Sequence, residues 1–440
     1  MLTLILALSV GQAPYTPDNM REGEPIPRPR LFRSDGPLRM SRAGAGSDYA
    51  FFEAFPASGA GTSGPCSTTP PTGARGEVLT FTRASSAMCT RTATGGLATT
   101  GIANGDLVVL SSNVARVEYD SAGTLGLLVE ATRTNSLLRS EEIDNASWTK
   151  RVANTVWAND AGSPDGTTTA DAVFFAATAA DVTGIYQTNC PTGSSTSSVY
   201  LKGITPMDGG VAQSGTLDMT IDNGVGTFSC QTCPYNPTTW TRCTKTTTFA
   251  ATGTMMLGND SRVATCSLPA RPAADVLVWG AQCELGAYAT SYIPTTTIAV
   301  ARAAERAIFT LPVAVSTATG SHAISVTPEW SNANGALGYG ITYGANASPI
   351  YGLVDVRTYD STTQVTLATT FTAGSLSRLW SSYAGSTQTL SNSVTSTTGA
   401  FDGAMPTTTS MEVGSQGLGA NVWNAIYSRI CADNDASRCR

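Results

Sequence analysis

The sequence predicts an all-β protein, in which two consecutive antiparallel β-sandwiches of the jelly-roll type follow an extended N-terminal arm. Three observations support this prediction. Only 13% of the 440 residues are charged, against about 25% in an average globular protein, and Thr, Ser, Ala and Gly take their place. Short segments alternate between apolar and polar residues, as half-buried strands do. Gly, Asn, Asp and Pro separate these segments, and no pattern predicts a helix longer than two turns.

Residues 1–48 are predicted to form the extended arm, because they show no hydrophobic period and contain six of the 22 prolines. Within the arm, the stretch 21–42 carries six arginines and three acids. The acids dilute the positive charge. A Pro-rich anchor that docks on another protein is therefore favoured over a phosphate-binding arm.

Residues 1–13, MLTLILALSVGQA, resemble a secretory signal. However, the apolar run is short, no basic residue precedes it, and Pro14 follows the apparent cleavage point. We therefore expect a retained apolar N-terminus that is buried in a partner. The run is too short to cross a bilayer, so no membrane span is predicted.

Three β-rich regions follow the arm. Residues 49–140 contain the runs GEVLTFTRAS and GDLVVLSSNVARVEYD, and they are predicted to form a connecting β segment packed on the first sandwich. Residues 141–310 contain about eight short alternating segments, which predict the first sandwich. One of them, SVYLKG, would place Val199 and Leu201 on one face of its strand. Residues 311–440 repeat this style and predict the second sandwich.

The overall charge argues against general nucleic-acid binding. The formal net charge is −6 and the isoelectric point is near 5.0. A nucleic-acid-binding protein needs a basic face to neutralise phosphates. We expect protein and glycan partners instead.

The ten cysteines leave two interpretations open. The CQTC motif at 230–233, with Cys243 and Cys266, is compatible with a zinc site, but the spacing to the second pair is irregular. Local disulfides are favoured if the protein ends up outside a cell. They would join Cys230 or Cys233 to Cys243, and Cys431 to Cys439.

No catalytic motif is found in the sequence. The single histidine, His322, lies in an alternating strand pattern, where a structural role is favoured over catalysis. A glycosidase needs only two suitably spaced carboxylates. The candidate acids are Glu130, Glu141, Glu142, Glu284, Glu329 and Asp355. No motif supports them, and we expect neither enzymatic activity nor a metal or cofactor.

Glycan binding is the remaining hypothesis, because sugars are recognised by exposed aromatic faces and fixed polar groups. Seven tryptophans are spread along both predicted sandwiches, and most of them should pack in the cores, Trp279 in particular. The candidates for exposed ligand-binding aromatics are Trp157, Tyr186, Trp330 and Trp380.

Five segments occur in an order and spacing that resemble a module of tailed-bacteriophage virion proteins. They cover about half of the chain, from 77 to 310, and are FTRASSAMCTR (81–91), ARVEYDSAGTLGLLVEATRTNSLLRSEEIDNASWTK (115–150), SPDGTTTADAV (163–173), SVYLKG (198–203) and VLVWGAQCELGAYATSYIPTTTIAVARAAE (276–305). The resemblance implies a carbohydrate-binding type of jelly roll, preceded by an extended segment that packs on it.

The C-terminal third is similar, more loosely, to concanavalin-like and laminin-G-like sandwiches. The similarity rests on LWSSYAGSTQTLSNSV, SMEVGSQG and WNAIYSRICADNDASRCR. The usual Asn-Gly turn is missing, and no cluster of Asp and Asn predicts a calcium site. We therefore expect no calcium here.

The stretch GLLVEATRTNSLLRS, residues 126–140, is predicted to fasten the connecting segment to the first sandwich. Residues 126–129 would form a strand that enters the jelly roll. Glu130 and Arg133 would make charge-assisted hydrogen bonds to the sandwich. Thr134 and Asn135 would close a turn through side-chain to backbone bonds, and Pro294 would end the last strand.

These observations predict a non-enzymatic structural protein on the surface of a phage virion, as a fibre, a spike or a capsid decoration. Residues 1–48 would dock on other virion proteins, and the sandwiches would bind host-surface glycans or protect the particle. By resemblance to fibres, a homotrimer is favoured. The alternative is a secreted bacterial protein that binds or cleaves glycans, which the signal-like start and the cysteines favour.

Overall fold

The computed structural model confirms the all-β class. It describes residues 51–52, 64–69, 78–92, 100–120, 122–151, 154–175, 182–204, 213–260, 273–311, 313–333, 338–344, 347–352, 355–402, 405–417, 421–437 and 439. These residues form strands, turns and irregular connections, and no helix occurs among them. The predicted arm, 1–48, lies outside the described residues.

Strands are numbered in chain order. The first fifteen are β1 Phe51–Phe52, β2 Val78–Thr82, β3 Ala87–Thr90, β4 Thr100–Ile102, β5 Leu107–Leu110, β6 Arg116–Tyr119, β7 Leu125–Val129, β8 Arg133–Asn135, β9 Thr149–Arg151, β10 Thr155–Ala161, β11 Ala170–Phe175, β12 Val182–Cys190, β13 Gly193–Gly203, β14 Gly215–Asp222 and β15 Phe228–Tyr235. The others are β16 Trp240–Phe249, β17 Gly253–Asp260, β18 Ala274–Leu285, β19 Val300–Arg302, β20 Arg306–Thr310, β21 Thr319–Pro328, β22 Gly338–Thr342, β23 Ser348–Gly352, β24 Asp355–Tyr359, β25 Gln364–Ala368, β26 Ser377–Ala384, β27 Thr387–Ser391, β28 Ser396–Ala400, β29 Ser410–Val413 and β30 Ala425–Asp433.

The first sandwich consists of a six-stranded and a five-stranded antiparallel sheet. The strand orders are β10-β11-β18-β13-β16-β4 and β15-β14-β17-β12-β9. Alternation along β13 has the expected effect, because Val199 and Leu201 are fully buried in the core between these sheets. Tyr200 points to the other face, where it packs with Trp279 and Tyr292.

The second sandwich consists of an eight-stranded and a seven-stranded sheet. The first has the order β28-β27-β26-β21-β30-β7-β6, with β1 paired to β30, and the second has the order β2-β20-β29-β22-β23-β24-β25. Its core is rich in large aromatic side chains. Trp330, Trp423 and Phe371 pack together there with ring centroids 5.0 to 5.6 Å apart.

The connecting segment, 49–140, does not pack on the first sandwich as a whole, and this prediction needs correction. Its strands β2, β6 and β7 belong to the sheets of the second sandwich, and only β4 joins a sheet of the first. The predicted boundary at 310 also shifts, since β20 lies in the second sandwich. The chain therefore starts the second sandwich, builds the first, and then returns.

Strand β7 shows why part of the connecting segment joins the second sandwich. All five of its residues are buried, and a strand without a polar face needs neighbours that cover it completely. It finds them in β6 and in β30, which lies about 300 residues further along. Gly126 permits this pairing, because a Cβ atom there would lie 2.7 Å from the Tyr427 carbonyl oxygen. The strand predicted at 126–129 therefore exists, but it enters the second sandwich.

Four disulfides are placed within the described residues. Two of them, Cys190–Cys283 and Cys233–Cys243, connect the two sheets of the first sandwich. The other two are Cys66–Cys89 and Cys431–Cys439. Cys230 is also disulfide-bonded. No described cysteine is a free thiol.

Candidate functional site

Five charged side chains form a buried ionic cluster at the junction of the two sandwiches: Arg83, Arg116, Glu130, Arg302 and Glu305. Each of them is at most 1% exposed. Strand β6 supplies the central arginine, Arg116, and β19 ends with Arg302. The other three residues lie just after β2, just after β7 and just before β20. The cluster thus lies where the chain passes from the second sandwich to the first and back.

Arg116 is the centre of this ionic cluster. Its Nε lies 2.7 Å from Glu305 Oε1, its Nη2 lies 2.6 Å from Glu305 Oε2, and Nη2 also donates to Glu130. Arg83 Nη1 donates to Glu305 Oε1 at a distance of 2.7 Å. Arg302 Nη1 lies 2.7 Å from Glu130 Oε2. Such charge-assisted bonds are short and hold planar groups in one orientation.

The pKa shifts of Arg116 and Glu130 indicate that attraction within the cluster outweighs the cost of burying their charges. Burial alone would lower the pKa of Arg116, but attraction to Glu130 and Glu305 outweighs it and leaves the pKa well above its usual value. For Glu130, burial favours the neutral acid. Arg116 and Arg302 overcome this effect and hold its pKa well below the usual value. Both groups therefore stay charged at neutral pH.

Two further buried carboxyls adjoin the cluster with the opposite behaviour. Burial raises the pKa of Glu118 to about 8. Burial, and then repulsion from Glu130, raise the pKa of Glu329 well above its usual value. Both carboxyls are therefore mainly protonated at pH 7, and the attraction of the arginines does not compensate for their burial.

The predicted fastening residues all lie near this junction, but their roles differ from one another. Glu130 also accepts hydrogen bonds from the backbone nitrogen and the hydroxyl of Ser291, and each of these bonds is 2.8 Å long. Arg133 Nε lies 3.6 Å from Glu284 Oε2, and the Arg133 guanidinium lies 5.2 Å from the ring centroid of Tyr288.

Thr134 and Asn135 lie in strand β8, which pairs with β19. Asn135 Oδ1 accepts from the backbone nitrogen of Leu137, two residues further on, which is a side-chain to backbone bond of the predicted kind, but it follows a strand rather than an isolated turn. Asn135 is fully buried, and its side-chain amide donates to the carbonyls of Ala281 and Ile293 and accepts from the backbone nitrogens of Leu137 and Cys283. Two of these bonds, to Ala281 and Cys283, connect Asn135 with strand β18, and the local sequence does not indicate this pairing.

Pro294 does not end the last strand of the first sandwich. Strand β18 ends at Leu285, and Pro294 lies later, exposed in an irregular segment. The chain between them folds back over the junction, where Ser291 reaches Glu130 and Thr290 reaches Glu284. These two contacts, rather than Pro294, hold the segment that follows β18 in place as the chain leaves the first sandwich.

The four candidate aromatics lie in different places. Trp157, on strand β10, is 45% exposed and packs edge-on against Phe174. Tyr186, on strand β12, is half-buried. Trp330 is 1% exposed, so its predicted exposure is wrong: the side chain fills the core of the second sandwich. Trp380, on strand β26, is half-buried and lines a surface groove.

This groove, the Trp380 groove, lies on the outer face of the eight-stranded sheet and has a volume of about 410 Å³. Strands β21, β26, β27, β28 and β30 form it. Its lining side chains include one indole, two guanidinium groups and several hydroxyls, namely Trp380, Arg378, Arg429, Ser325, Thr389, Ser391, Ser393 and Ser396. These groups combine an aromatic face with fixed polar atoms.

A second cavity, of about 440 Å³, lies between the two sandwiches. Tyr200, Arg242 and Thr246 of the first sandwich line it, together with Glu329 and Gly374 of the second. None of the four candidate aromatics reaches it. Several of its polar groups are already bonded within the protein; Arg242, for example, donates to the Thr290 carbonyl and to the Ser198 hydroxyl.

His322 is buried in the second sandwich. Its Nε2 lies 2.7 Å from the hydroxyl of Tyr343, and its Nδ1 lies 3.4 Å from the hydroxyl of Ser381. Burial lowers the pKa of His322 to about 3, so the ring is neutral at pH 7. Because both His322 and Ser381 are buried, a substrate cannot approach them from the surface.

Comparison with protein-family models and with curated proteins finds no match for this chain. Over the part of the chain that the structure describes, no three His, Cys, Asp or Glu side chains are grouped so that they could hold a metal ion. Within the same residues no helix is long and apolar enough to cross a membrane.

Proposed function

We propose that this chain is a non-enzymatic structural protein of a phage virion surface, and that its second sandwich binds host-surface glycans in the Trp380 groove. The single observation that carries the glycan-binding part is the position of Trp380. Among the four candidate aromatics it is the one that lines a groove together with hydroxyl and guanidinium groups.

The composition of the Trp380 groove suits a sugar. A pyranose has an apolar face, which packs against an aromatic ring, and a rim of hydroxyls, which need donors and acceptors. The half-buried Trp380 indole offers the first. Ser391 and Ser396 lie in the same row across strands β27 and β28 and offer the second.

The way the two sandwiches are joined supports a structural role. Besides the crossings on either side of β4, the chain passes to the first sandwich after β7 and returns before β20, because all other strands of the first sandwich are inserted there. The ionic cluster ties both crossings together, since Glu130 follows β7 and Glu305 precedes β20. A receptor-binding sandwich on a particle must transmit force to its anchor, and two fastened crossings resist bending better than one flexible linker.

In this proposal the arm 1–48 docks on other virion proteins and three copies assemble into a homotrimer, as resemblance to phage fibres implies. The protein would be made in the host cytoplasm and act on the particle surface. Its place there, as a fibre, a spike or a capsid decoration, is left to the labelling experiment below.

The disulfides favour an alternative, a secreted bacterial protein that binds or cleaves glycans. Disulfides form and persist in oxidising compartments and on virion surfaces, and they are rare in the cytoplasm. Every cysteine that the structure describes is paired. In the virion proposal these bonds form after the particle leaves the cell. In the alternative they form during secretion.

Immunogold electron microscopy of purified phage particles tests the virion proposal. The antibody is raised against residues 311–440. Label on the capsid faces would identify a decoration or head fibre, and label at the tail would identify a receptor-binding protein. Particles without label, together with protein in the bacterial culture medium, would support the secreted alternative.

Glycan-array binding of the purified chain tests the glycan-binding part. Trp380→Ala should abolish the signal of any bound glycan. Trp157→Ala is the matched control, because Trp157 is an exposed tryptophan outside the groove. If both variants bind as the parent chain does, the Trp380 groove is not the glycan site.

A further inference from the structure

We propose that the cavity between the two sandwiches binds a small organic monocarboxylate, that is, a molecule that joins one carboxylate to an apolar body. The carboxylate would lie on Arg242, and the apolar body would lie against the connecting segment. This inference goes beyond the proposed function and does not depend on glycan binding in the Trp380 groove. It is carried by one guanidinium group that lines the cavity and is held there by neutral partners.

Three parts of the chain border this cavity, whose volume is about 440 Å³. Its floor is the outer face of the six-stranded sheet, to which β13 and β16 contribute. Strands β3 and β5 of the connecting segment form one wall, and the second sandwich contributes Glu329, Ala373 and Gly374. Ligand pockets have volumes of about 300–1,000 Å³ and often lie between domains. The cavity is therefore large enough for an organic molecule.

Arg242 has a fixed position but no carboxylate partner among the described residues. Its Nη1 donates to the Thr290 carbonyl at a distance of 2.7 Å, and its Nη2 donates to the Ser198 hydroxyl at a distance of 2.9 Å. The guanidinium also lies 5.4 Å from the ring centroid of Tyr200. These partners are neutral, so they orient the guanidinium without balancing its charge. A guanidinium has more N–H donors than these two bonds use, and the others are free for an anion.

The lining of the cavity carries one positive charge. Among the described residues that form it, Arg242 is the single cation and Glu329 is the single acid. Burial, and then repulsion from Glu130, raise the pKa of Glu329 well above its usual value, so this carboxyl is protonated at pH 7 and does not balance Arg242. A carboxylate brings one negative charge, whereas a phosphate monoester brings about 1.5 to 2 at pH 7. One guanidinium therefore matches a carboxylate better.

The strand register places hydroxyl groups beside Arg242 on the same face. Arg242, Thr244 and Thr246 alternate along β16 and all line the cavity. Alternate residues of a strand lie about 6.6 Å apart and point to one face. The Thr246 hydroxyl is already bonded to the Thr196 hydroxyl. The carboxylate is therefore expected between Arg242 and Thr244, where the Thr244 hydroxyl can donate to its second oxygen.

The wall next to this position is apolar. Met88 and Leu107 line the cavity, and each of them is 3% exposed. They lie on neighbouring strands, because Leu107 of β5 pairs with Thr90 of β3. The ring of Tyr200 continues the apolar surface on the floor of the cavity. Covering such surface contributes about 25 cal/mol per Å² to binding. An inorganic anion would leave it uncovered, so an organic anion is the better fit.

Titration of the full chain with fluorinated carboxylates, followed by fluorine NMR, tests this inference. The probes are fluorobenzoate, fluorophenylacetate and fluoronaphthoate, and each is compared with its primary amide. An acid and its amide have nearly the same shape and differ in charge. We expect at least one acid to bind about tenfold more tightly than its amide, since charge-assisted bonds are roughly twice as strong as neutral ones. Fluorophenyl phosphate should bind more weakly than that acid.

Three variants locate the bound acid. Arg242→Gln should lower the affinity for the acid about tenfold and leave that for the amide nearly unchanged. Thr244→Val should weaken acid binding by a smaller factor, because it removes one neutral donor. Arg242→Gln also removes two internal hydrogen bonds. Ala373→Phe avoids this loss: Ala373 is exposed and lines the cavity from the second sandwich, so a ring there should block binding while the chain still folds.

Matched controls lie outside the cavity. Arg151→Gln replaces an exposed arginine of β9. Thr248→Val replaces a threonine on the same strand face as Thr244, but Thr248 does not line the cavity. Both controls should bind the acid as the parent chain does.

Four results would overturn the inference. The first is that no acid binds at millimolar concentration, and the second is that every amide binds as tightly as its acid. The third is acid binding that neither Arg242→Gln nor Ala373→Phe changes, since the acid would then lie elsewhere. The fourth is tighter binding of fluorophenyl phosphate than of any acid, which would overturn the choice of a carboxylate. Glycan binding is read separately, from Trp380→Ala on the array, so the two proposals fail independently.

Discussion

The ionic cluster and the Trp380 groove use the same residue type in opposite ways. In the cluster, Arg83, Arg116 and Arg302 are buried and each contacts a carboxylate within 2.7 Å or less. In the groove, the described lining contains Arg378 and Arg429 and no acid. The buried arginines are matched by carboxylates and hold the two sandwiches in one arrangement, whereas the arginines of the groove lie at the surface of one sheet.

The largest expected effect comes from Arg116→Leu. The substitution leaves Glu130 and Glu305 buried without their central partner, and such a loss costs about 3–5 kcal/mol. Denaturant unfolding should show this decrease in the free energy of unfolding. Arg139→Ala is the control, because the Arg139–Glu142 pair is exposed to solvent and should contribute under about 1 kcal/mol. Equal effects would mean that the cluster does not stabilise the fold.

Glu118→Gln tests a buried carboxyl for which the attraction of Arg116 does not offset the cost of burying a charge. The pKa of Glu118 is raised from 4.5 to about 8, so between these pH values the folded state keeps a proton that the unfolded state releases. The free energy of unfolding therefore falls as pH rises through this window, and it is constant above about pH 8. Glu118→Gln cannot ionise, so it should be more stable than the parent at pH 8.5, by up to about 5 kcal/mol.

Thermal unfolding of both proteins from pH 4.5 to pH 9 measures this difference. The variant and the parent should have similar stability at pH 4.5, where both side chains are neutral. Glu329 also has a raised pKa, and its contribution is common to both proteins and cancels. A difference that does not grow with pH would contradict the assignment to Glu118.

Asn135→Ala measures how much the neutral hydrogen bonds of Asn135 contribute to stability, for comparison with the charged contacts of Arg116. The substitution removes four hydrogen bonds and leaves the buried carbonyls of Ala281 and Ile293 without this donor. We expect a loss of about 2 kcal/mol, independent of salt concentration. Asn154→Ala is the control, because Asn154 is half-buried and its side-chain amide donates to the Arg151 carbonyl in a solvent-exposed bond. A loss below about 0.5 kcal/mol would show that water replaces these bonds.

Arg378→Ala should have the smallest effect on stability. The side chain is exposed, and replacing an exposed side chain usually changes stability little. The free energy of unfolding should change by less than about 0.5 kcal/mol. Denaturant unfolding beside Arg116→Leu shows the contrast directly. A large loss would mean that Arg378 belongs to the packing of the sheet.

The all-β class follows from the sequence because alternation and turn residues are local signals. The run GLLV at 126–129 predicts a strand for the same reason. Glu130, within an apolar stretch, could be predicted to be a buried carboxylate that needs a partner. The identity of its partners could not, since Arg116 and Arg302 lie on both sides of it in the chain and are ordinary arginines by sequence.

Burial of single aromatics was the least predictable feature. Trp380 lies within strand β26 and Trp330 lies two residues after the end of β21, yet Trp330 fills a core and Trp380 lines a groove. Which face of a strand turns inward depends on its partner strands. The row that unites Arg378, Ser325 and Arg429 has the same origin, because it exists only through pairing of three distant segments.

The sequence by itself determined that the chain forms short strands and which side chains alternate along each of them. These properties depend on neighbours within a few residues. The tertiary structure alone decided that β7 pairs with β30, that the first sandwich is inserted into the second, and that two arginines share one row. Strand pairing is made by backbone hydrogen bonds that carry little sequence information, so the burial of whole sheets selects the partners.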